Sequence, residues 1–379
     1  MKLKVILSTI IVSLIFLFYP LTIFANEENS EEFDVSAPSA ILIDSKSGKI
    51  LFEKNPSEVR YTASLMKMMN LLIAFDTIKD LSSKVTINKE IPRTGGSNIW
   101  LKQGETVKTE DLIKAVAMVS ADDACIALAD HISGDEGKFL QEMNNYAAKY
   151  NLKSTIFKNC IAEDIDGNVS TAHDIAFMAK ALLECERAAD YTSKWIDHIR
   201  GGKTQIVNTN KLIKLYPGTT GIKTGTSKEA GSCACICSEK DKMSLIAVVL
   251  GCKDVKERNS EVTKLLDYGF SEYSLSSPPP FEVPKYLKVE NGIESCVELS
   301  VIKSENFLVA NKNKEKISPE LVLDEKLEAP VIRGKKVGEI IYRQGNDIVC
   351  ISDVVTHSSV DKKNFSKLLK KLAVSFLKL

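Results

Sequence analysis

The sequence predicts an α+β chain: helices and strands intermixed over a long first region, then a small all-β region, then an amphipathic C-terminal helix. Three observations predict it. Apolar residues recur at helical spacing in YTASLMKMMNLLIAFDTI, KTEDLIKAVAMV, DDACIALADHISG, STAHDIAFMAKALLE and NSEVTKLLDYGF. β-Rich runs joined by short polar turns lie on either side of these segments. After the helix-breaking SSPPPFEVP, only short runs of strand character follow, at regular spacing.

The elements follow in chain order. The N-terminus opens MKLK, continues VILSTIIVSLIFLF, meets Pro20, and passes TIFA into the acidic NEENSEE. A positive start, an apolar middle and the small Ala25 predict a secretory signal over residues 1–25; an uncleaved anchor is the alternative. Either way the bulk of the chain is expected outside the cytoplasm. SAILIDSKSGKILFEKN reads as a hairpin turning at Lys46-Ser47-Gly48. In the next segment Ser64 falls in the first turn of a helix, where free N–H groups and the dipole favour negative charge. Thr109 is expected to cap the following helix, with Glu110 and Asp111 in its first turn. That helix stops near SADD, so Ser120 lies at a junction, and its successor ends at Gly134. Ser170 or Thr171 caps the next helix. GIKTGTS, GSCACICS and MSLIAVVLGC are strands, the last two joined at EKDK.

VELSVI, NFLVAN, PELVLDE, KVGEIIY and DIVCISDVV are the strands of the small β region. In the tail, Phe365, Leu368, Leu369, Leu372, Phe376 and Leu379 form an apolar stripe backed by Lys363, Lys367, Lys370, Lys371 and Lys378. Such a stripe suits a helix lying on an anionic membrane surface; a helix docked on the protein is the alternative.

The 379 residues carry no net charge, so nothing points to nucleic acid as a partner. The nine cysteines are scattered through apolar stretches and read as buried, unpaired thiols. Cys233, Cys235 and Cys237 alternate and share one face of a strand, without the C-x-x-C step or second cluster that a metal site needs.

Chemistry enters at SLMK, residues 64–67. A lysine among Leu65, Met66, Met68 and Met69 is costly unless paired, neutralised or able to snorkel. Positions i and i+3 share a helix face, so the Lys67 amine is expected within reach of the Ser64 hydroxyl. A serine needs such a base. With no G-x-S-x-G elbow and no H-E-x-x-H in the chain, neither a histidine-assisted elbow nor a zincin site is signalled.

SLMK at 64–67, SAD at 120–122 and KTG at 223–225 follow one another in the order S-x-x-K, S-x-N, K-T-G. With GGSNIWLKQGETV, VSADDACIALAD, DGNVSTAHDIA, GTTGIKTGTSKEAGSC and APVIRGKKVGEI, the chain resembles the low-molecular-weight penicillin-binding proteins. These are serine D-alanyl-D-alanine carboxypeptidases of the serine β-lactamase-like superfamily. The resemblance implies an antiparallel sheet flanked by helices plus a helical lobe over 33–274. It implies a small β domain over 281–357 and a membrane-anchoring helix over 362–379.

It also implies that Ser64 attacks the bond between two D-alanines, Lys67 takes the proton and Ser120 relays it. Lys223 and Thr224 would hold the substrate carboxylate. Gly225, Thr226 and Asp122 would complete the substrate site, with the oxyanion between the N–H groups of Ser64 and Thr226. No cofactor or metal is implied. The implied partners are a peptidoglycan stem peptide ending in D-Ala-D-Ala, β-lactam antibiotics trapped at Ser64, and a membrane surface at the outer face of the cytoplasmic membrane or cell wall. GGSNIWLKQGE also resembles the sporulation-associated branch.

Two departures stand out. Asp122 replaces the family's asparagine, and an ionised carboxylate accepts hydrogen bonds but donates none. Its charge is expected to keep Lys67 protonated, against the discharging effect of burial and of Lys223. Thr226 stands where histidine is frequent. Two other readings are a β-lactamase, though EDIDGN at Glu163 lacks an E-x-x-L-N pattern, and a wall-binding protein impaired through Asp122.

Overall fold

The computed structural model describes residues 33–163, 167–313 and 316–365. The expected signal segment and the tail helix from residue 366 onward lie outside the described residues. Among the described residues, no helix is long and apolar enough to cross a membrane.

Five strands form the main sheet: β1 (Ser39–Asp44), β2 (Ile50–Lys54), β3 (Thr219–Ser227), β4 (Gly231–Lys240) and β5 (Met243–Cys252). Their order is β2-β1-β5-β4-β3, antiparallel throughout. The strand carrying KTG is therefore an edge, and one side of its backbone is left unpaired by the sheet.

Helix α1 (Met68–Thr77) is buried from Met68 through Phe75, the mark of a helix that is apolar all round and runs through a core. A 3-10 turn, Ala63–Lys67, leads into it. Helices α2 (Asp122–Ser133) and α3 (Ala172–Leu183) pack against α1, and α3 also lies on β1 and β5. Alternation along the strands sends Ile41, Ile43, Ile246 and Val248 into this helical core. The other sheet face meets α4 (Val255–Glu272), which comes so close that a Cβ on Gly269 would lie 2.7 Å from Leu42 Cδ2. The sheet is thus covered on both faces, as expected.

Several expected ends are met. The Gly48 turn, the Gly134 terminus with φ +82° and the Thr171 cap, which accepts from Asp174 N, stand where the sequence puts them. Thr109 departs from expectation. Lys108 occupies the cap position, and the Thr109 hydroxyl donates instead to Ser83 O across a neighbouring strand. Helices Glu136–Lys149 and Glu186–Thr192, and the hairpin Ile196–Ile199 with Thr204–Val207, are short of apolar residues and add to the expected elements. The first of these helices buries only Phe139, Met143 and Ala147.

Beyond the proline-rich linker, six strands form one sheet in the order Ile317–Leu323, Lys336–Gln344, Asp347–Thr356, Cys296–Val301, Tyr286–Glu290 and Leu327–Glu328. Pro319 lies in the first of these, an edge strand, where its missing N–H costs no ladder bond. Phe307–Ala310, in the expected NFLVAN strand, pairs instead with Tyr273–Ser276, directly after α4. The two domains are therefore joined by strand pairing as well as by the linker.

All nine cysteines are free. Cys233, Cys235 and Cys237 are buried as a stripe, but Cys296 is exposed, against the expectation of buried thiols throughout.

Candidate active site

Three elements converge on a cleft of about 790 Å³: the turn before α1, the junction before α2 and the edge strand β3. Ser64, Lys67, Ser120, Asp122, Thr224, Gly225 and Thr226 all line it. Residues separated by about 160 positions in sequence are thus brought to one cavity.

Ser64 is half-buried at the start of the 3-10 turn, following Ala63 at φ +48°. A non-glycine residue in the left-handed region marks backbone strain that the surrounding structure must hold. β3 does part of this holding. A Cβ on Gly225 would stand 2.7 Å from Ser64 N and 2.9 Å from Ala63 Cβ, so only glycine lets the strand pass this close to Ser64. The Ser64 hydroxyl has no hydrogen-bond partner among the described residues and is left to the cleft.

Lys67 is buried because α1, which it precedes, is the central helix. Its ammonium donates to Ser120 O at 2.7 Å, to Ser120 Oγ at 3.3 Å and to Asp122 Oδ1. An ammonium has three donors, and all three are used. The anticipated Ser64–Lys67 hydrogen bond is therefore not made. The competing carboxylate explains the difference.

Ser120 reaches Lys67 because a π-helical turn, Ala115–Val119, ends at Ser120 in the left-handed region with φ +62°. Asp122 is equally constrained. Its N–H donates to Ser97 O at 2.7 Å, and a Cβ on Gly96 would collide with Asp122 Oδ2 at 2.3 Å. The loop carrying Thr94 to Ser97 is thus closed over the carboxylate, which is 4% exposed and directed at Lys67. This placement makes Asp122 the partner of the buried Lys67 amine; as a substrate ligand it has little exposed surface to offer.

Lys223 is also placed differently from expectation. It is 1% exposed, does not line the cleft, and among the described residues donates only to Thr224 O at 3.3 Å. Cys235 stands across from it on β4. Burial, and then the charge of Lys67, lower its pKa to about 7. Thr224 does line the cleft, and Thr226 stands exposed at its rim.

A family model described as D-alanyl-D-alanine carboxypeptidase matches residues 25–254. The chain belongs to the D-alanyl-D-alanine carboxypeptidase family. A second model, described as the C-terminal domain of penicillin-binding protein 5, matches residues 281–362. The carboxypeptidase is 33% identical to the D-alanyl-D-alanine carboxypeptidase DacF of Bacillus subtilis, over 97% of each chain. It is 32% identical to DacC of Escherichia coli, over 93% of this chain and 90% of that one. Among solved structures, penicillin binding protein 5 from Haemophilus influenzae matches with a TM-score of 0.75 and 26% identity, covering 87% of this chain and 99% of that one.

The carboxypeptidase cleft holds residues that the motifs do not announce. Arg258, one turn into α4, lines the cleft at 4% exposure, and its guanidinium bonds only the side chain of Asn259. Two of its nitrogens share one acceptor, so most of its five donors are unused, and among the described residues it forms no ion pair with a carboxylate, although Glu163 and Glu229 also line the cleft. Burial lowers its pKa from the usual guanidinium range. Within KERNSEV nothing distinguishes this arginine from a solvated one. Asp123, beside Asp122, accepts from Ile99 N at 3.1 Å, Ala124 N at 3.0 Å and Leu101 N at 2.9 Å, and so pins the loop beyond the cleft. The doubled acid in SADD was its only sequence signal.

Proposed function

We propose that this carboxypeptidase removes the terminal D-alanine from peptidoglycan stem peptides through an acyl-enzyme on Ser64. One observation carries the reading. A hydroxyl without a partner among the described residues shares a cleft with a lysine–serine hydrogen bond and with an arginine that forms no ion pair among them.

The steps follow from those positions. The substrate carboxylate sits between Arg258 and the Thr224 hydroxyl, a charge-assisted pairing that fixes the peptide's C-terminus. Lys223 adds positive potential from beneath the wall. Ser64 Oγ attacks the carbonyl between the two D-alanines. Its proton passes to the Lys67 amine once that amine has handed one to the Asp122 carboxylate, and then through Ser120 to the departing nitrogen as the C–N bond breaks. Backbone N–H groups of Ser64 and Thr226 hold the oxyanion. Water then cleaves the ester, regenerating Ser64 and freeing the shortened peptide.

β-Lactams, whose strained amide opens on the same hydroxyl, leave an ester that water removes slowly. Export by residues 1–25 and attachment by the basic, apolar segment 362–379 would place the cleft outside the cytoplasm, beside its polymer. The test is release of free D-alanine from a peptide ending in D-Ala-D-Ala. Activity in the wild type and none in Ser64→Ala is expected; equal release by both would refute the assignment.

A further inference from the structure

We propose that Trp100 is a carbohydrate-stacking platform beside the cleft, which takes a sugar ring of the glycan to which the stem peptide is attached. The proposal deepens, and rests on, the peptidoglycan reading above. Trp100 is 67% exposed and has φ +59°. A bulky residue in the left-handed region is a genuine outlier, and such strain persists only where neighbouring bonds enforce it.

Those bonds are present. The N–H groups on either side of Trp100, from Ile99 and Leu101, both donate to the buried Asp123 carboxylate. Arg200 donates to Ile99 O at 2.9 Å while bonding Glu105 Oε1 at 2.6 Å. Asp123 and Arg200 therefore fix the backbone on both flanks of an aromatic ring that buries little of itself. Rigid aromatic display on a loop is what a stacking contact needs, because little freedom remains to be lost on binding.

The ring is close to the chemistry. Ser97 lines the cleft, and three residues of chain reach at most about 11 Å. Its surroundings select the ligand. From Arg93 to Glu105, Trp100 is the one exposed large apolar side chain, and Arg93, Ser97, Lys102 and Gln103 on the same segment are all exposed. A lipid surface calls for several apolar side chains together. A sugar presents one C–H face and a rim of hydroxyls, which matches one ring with polar neighbours.

The experiment compares D-alanine release from a free pentapeptide and from the same pentapeptide on a GlcNAc–MurNAc disaccharide. Wild type is expected to show the lower KM on the disaccharide substrate. Trp100→Ala should raise that KM roughly tenfold, the order one stacked ring contributes, with kcat unchanged and the free pentapeptide unaffected. Trp100→Phe should keep most of the preference. Equal KM values for the two substrates in wild type, or equal losses on both in Trp100→Ala, would overturn the proposal.

Fluorescence in a Trp195→Phe background, titrated with peptide-free glycan and with anionic phospholipid vesicles, reads the same ring directly. A response to glycan supports the platform; a response to vesicles alone, or to neither, overturns it. A wild type that releases no D-alanine from either substrate sinks the functional reading, and the fluorescence titration then decides Trp100 by itself.

Discussion

The ammonium of Lys67 is paired with the carboxylate of Asp122 at the base of the cleft, and both groups are almost wholly buried. In the proposed reaction, Lys67 has to pass a proton to this carboxylate before it can accept one from Ser64. Substituting Asp122→Asn keeps an acceptor oxygen for Lys67 and adds a donor for a substrate carbonyl. Acylation of Ser64 by a fluorescent penicillin, followed by stopped flow, is expected to quicken by about tenfold or more. An unchanged or slower rate would show that the pair does not restrain the base.

Arg258 is a buried cation lining the cleft that forms no ion pair among the described residues. Arg258→Leu should lower kcat/KM by roughly 100-fold on peptides with a free terminal carboxylate, the scale of losing one partner of a desolvated charge pair. Peptides ending in a carboxamide should be poor substrates for both proteins and differ little between them. A uniform loss on both peptide types would assign Arg258 to structure alone.

Gly225 tests how tightly β3 is held against Ser64. Gly225→Ala places a methyl group 2.7 Å from Ser64 N, so either the strand or the serine turn must shift. Misplacement on the ångström scale costs about 100-fold in rate. The far-UV circular dichroism spectrum should be unchanged while penicillin acylation falls by that order. Acylation at the wild-type rate would mean that the contact relaxes without disturbing Ser64.

Lys223 links the site to stability. In the folded chain its pKa is lowered to about 7, against 10.5 as the ordinary value. Between those values the unfolded chain binds more protons, so this group's contribution to stability rises with pH above about 7. Buried Cys125, raised from 9.0 to about 12, acts in the opposite sense from pH 9 upward, so the clean window lies below that. Urea unfolding at intervals from pH 7 to 8.5 should show stability rising by about 2 kcal/mol at most, and the rise should vanish in Lys223→Met. A slope that persists in the variant would assign it to other groups.

The sheet strands and α1 to α4 were legible because each has a strong period and punctuation that agrees with it, such as Gly134 and the cap at Thr171. The three motifs were legible because S-x-x-K, S-x-D and K-T-G stand in order. Their relative depth was not. Lys223 and Thr224 are adjacent in sequence, yet one amine lies under the wall and the other side chain lines it, a difference set by burial between β4 and the helical core. Arg258 was invisible for a related reason: its role comes from where α4 begins relative to β3, which no local pattern encodes. The motif marks Asp122 as an acceptor in place of an amide, but its enclosure under Gly96 depends on the loop's closure, which the motif does not encode.

The most direct test of the account is intact-protein and peptide mass spectrometry after brief exposure to benzylpenicillin. A single penicilloyl adduct on the peptide containing Ser64, absent from Ser64→Ala, is the predicted result. An adduct on any other residue, or one that persists in Ser64→Ala, would contradict the claim that this hydroxyl is the nucleophile.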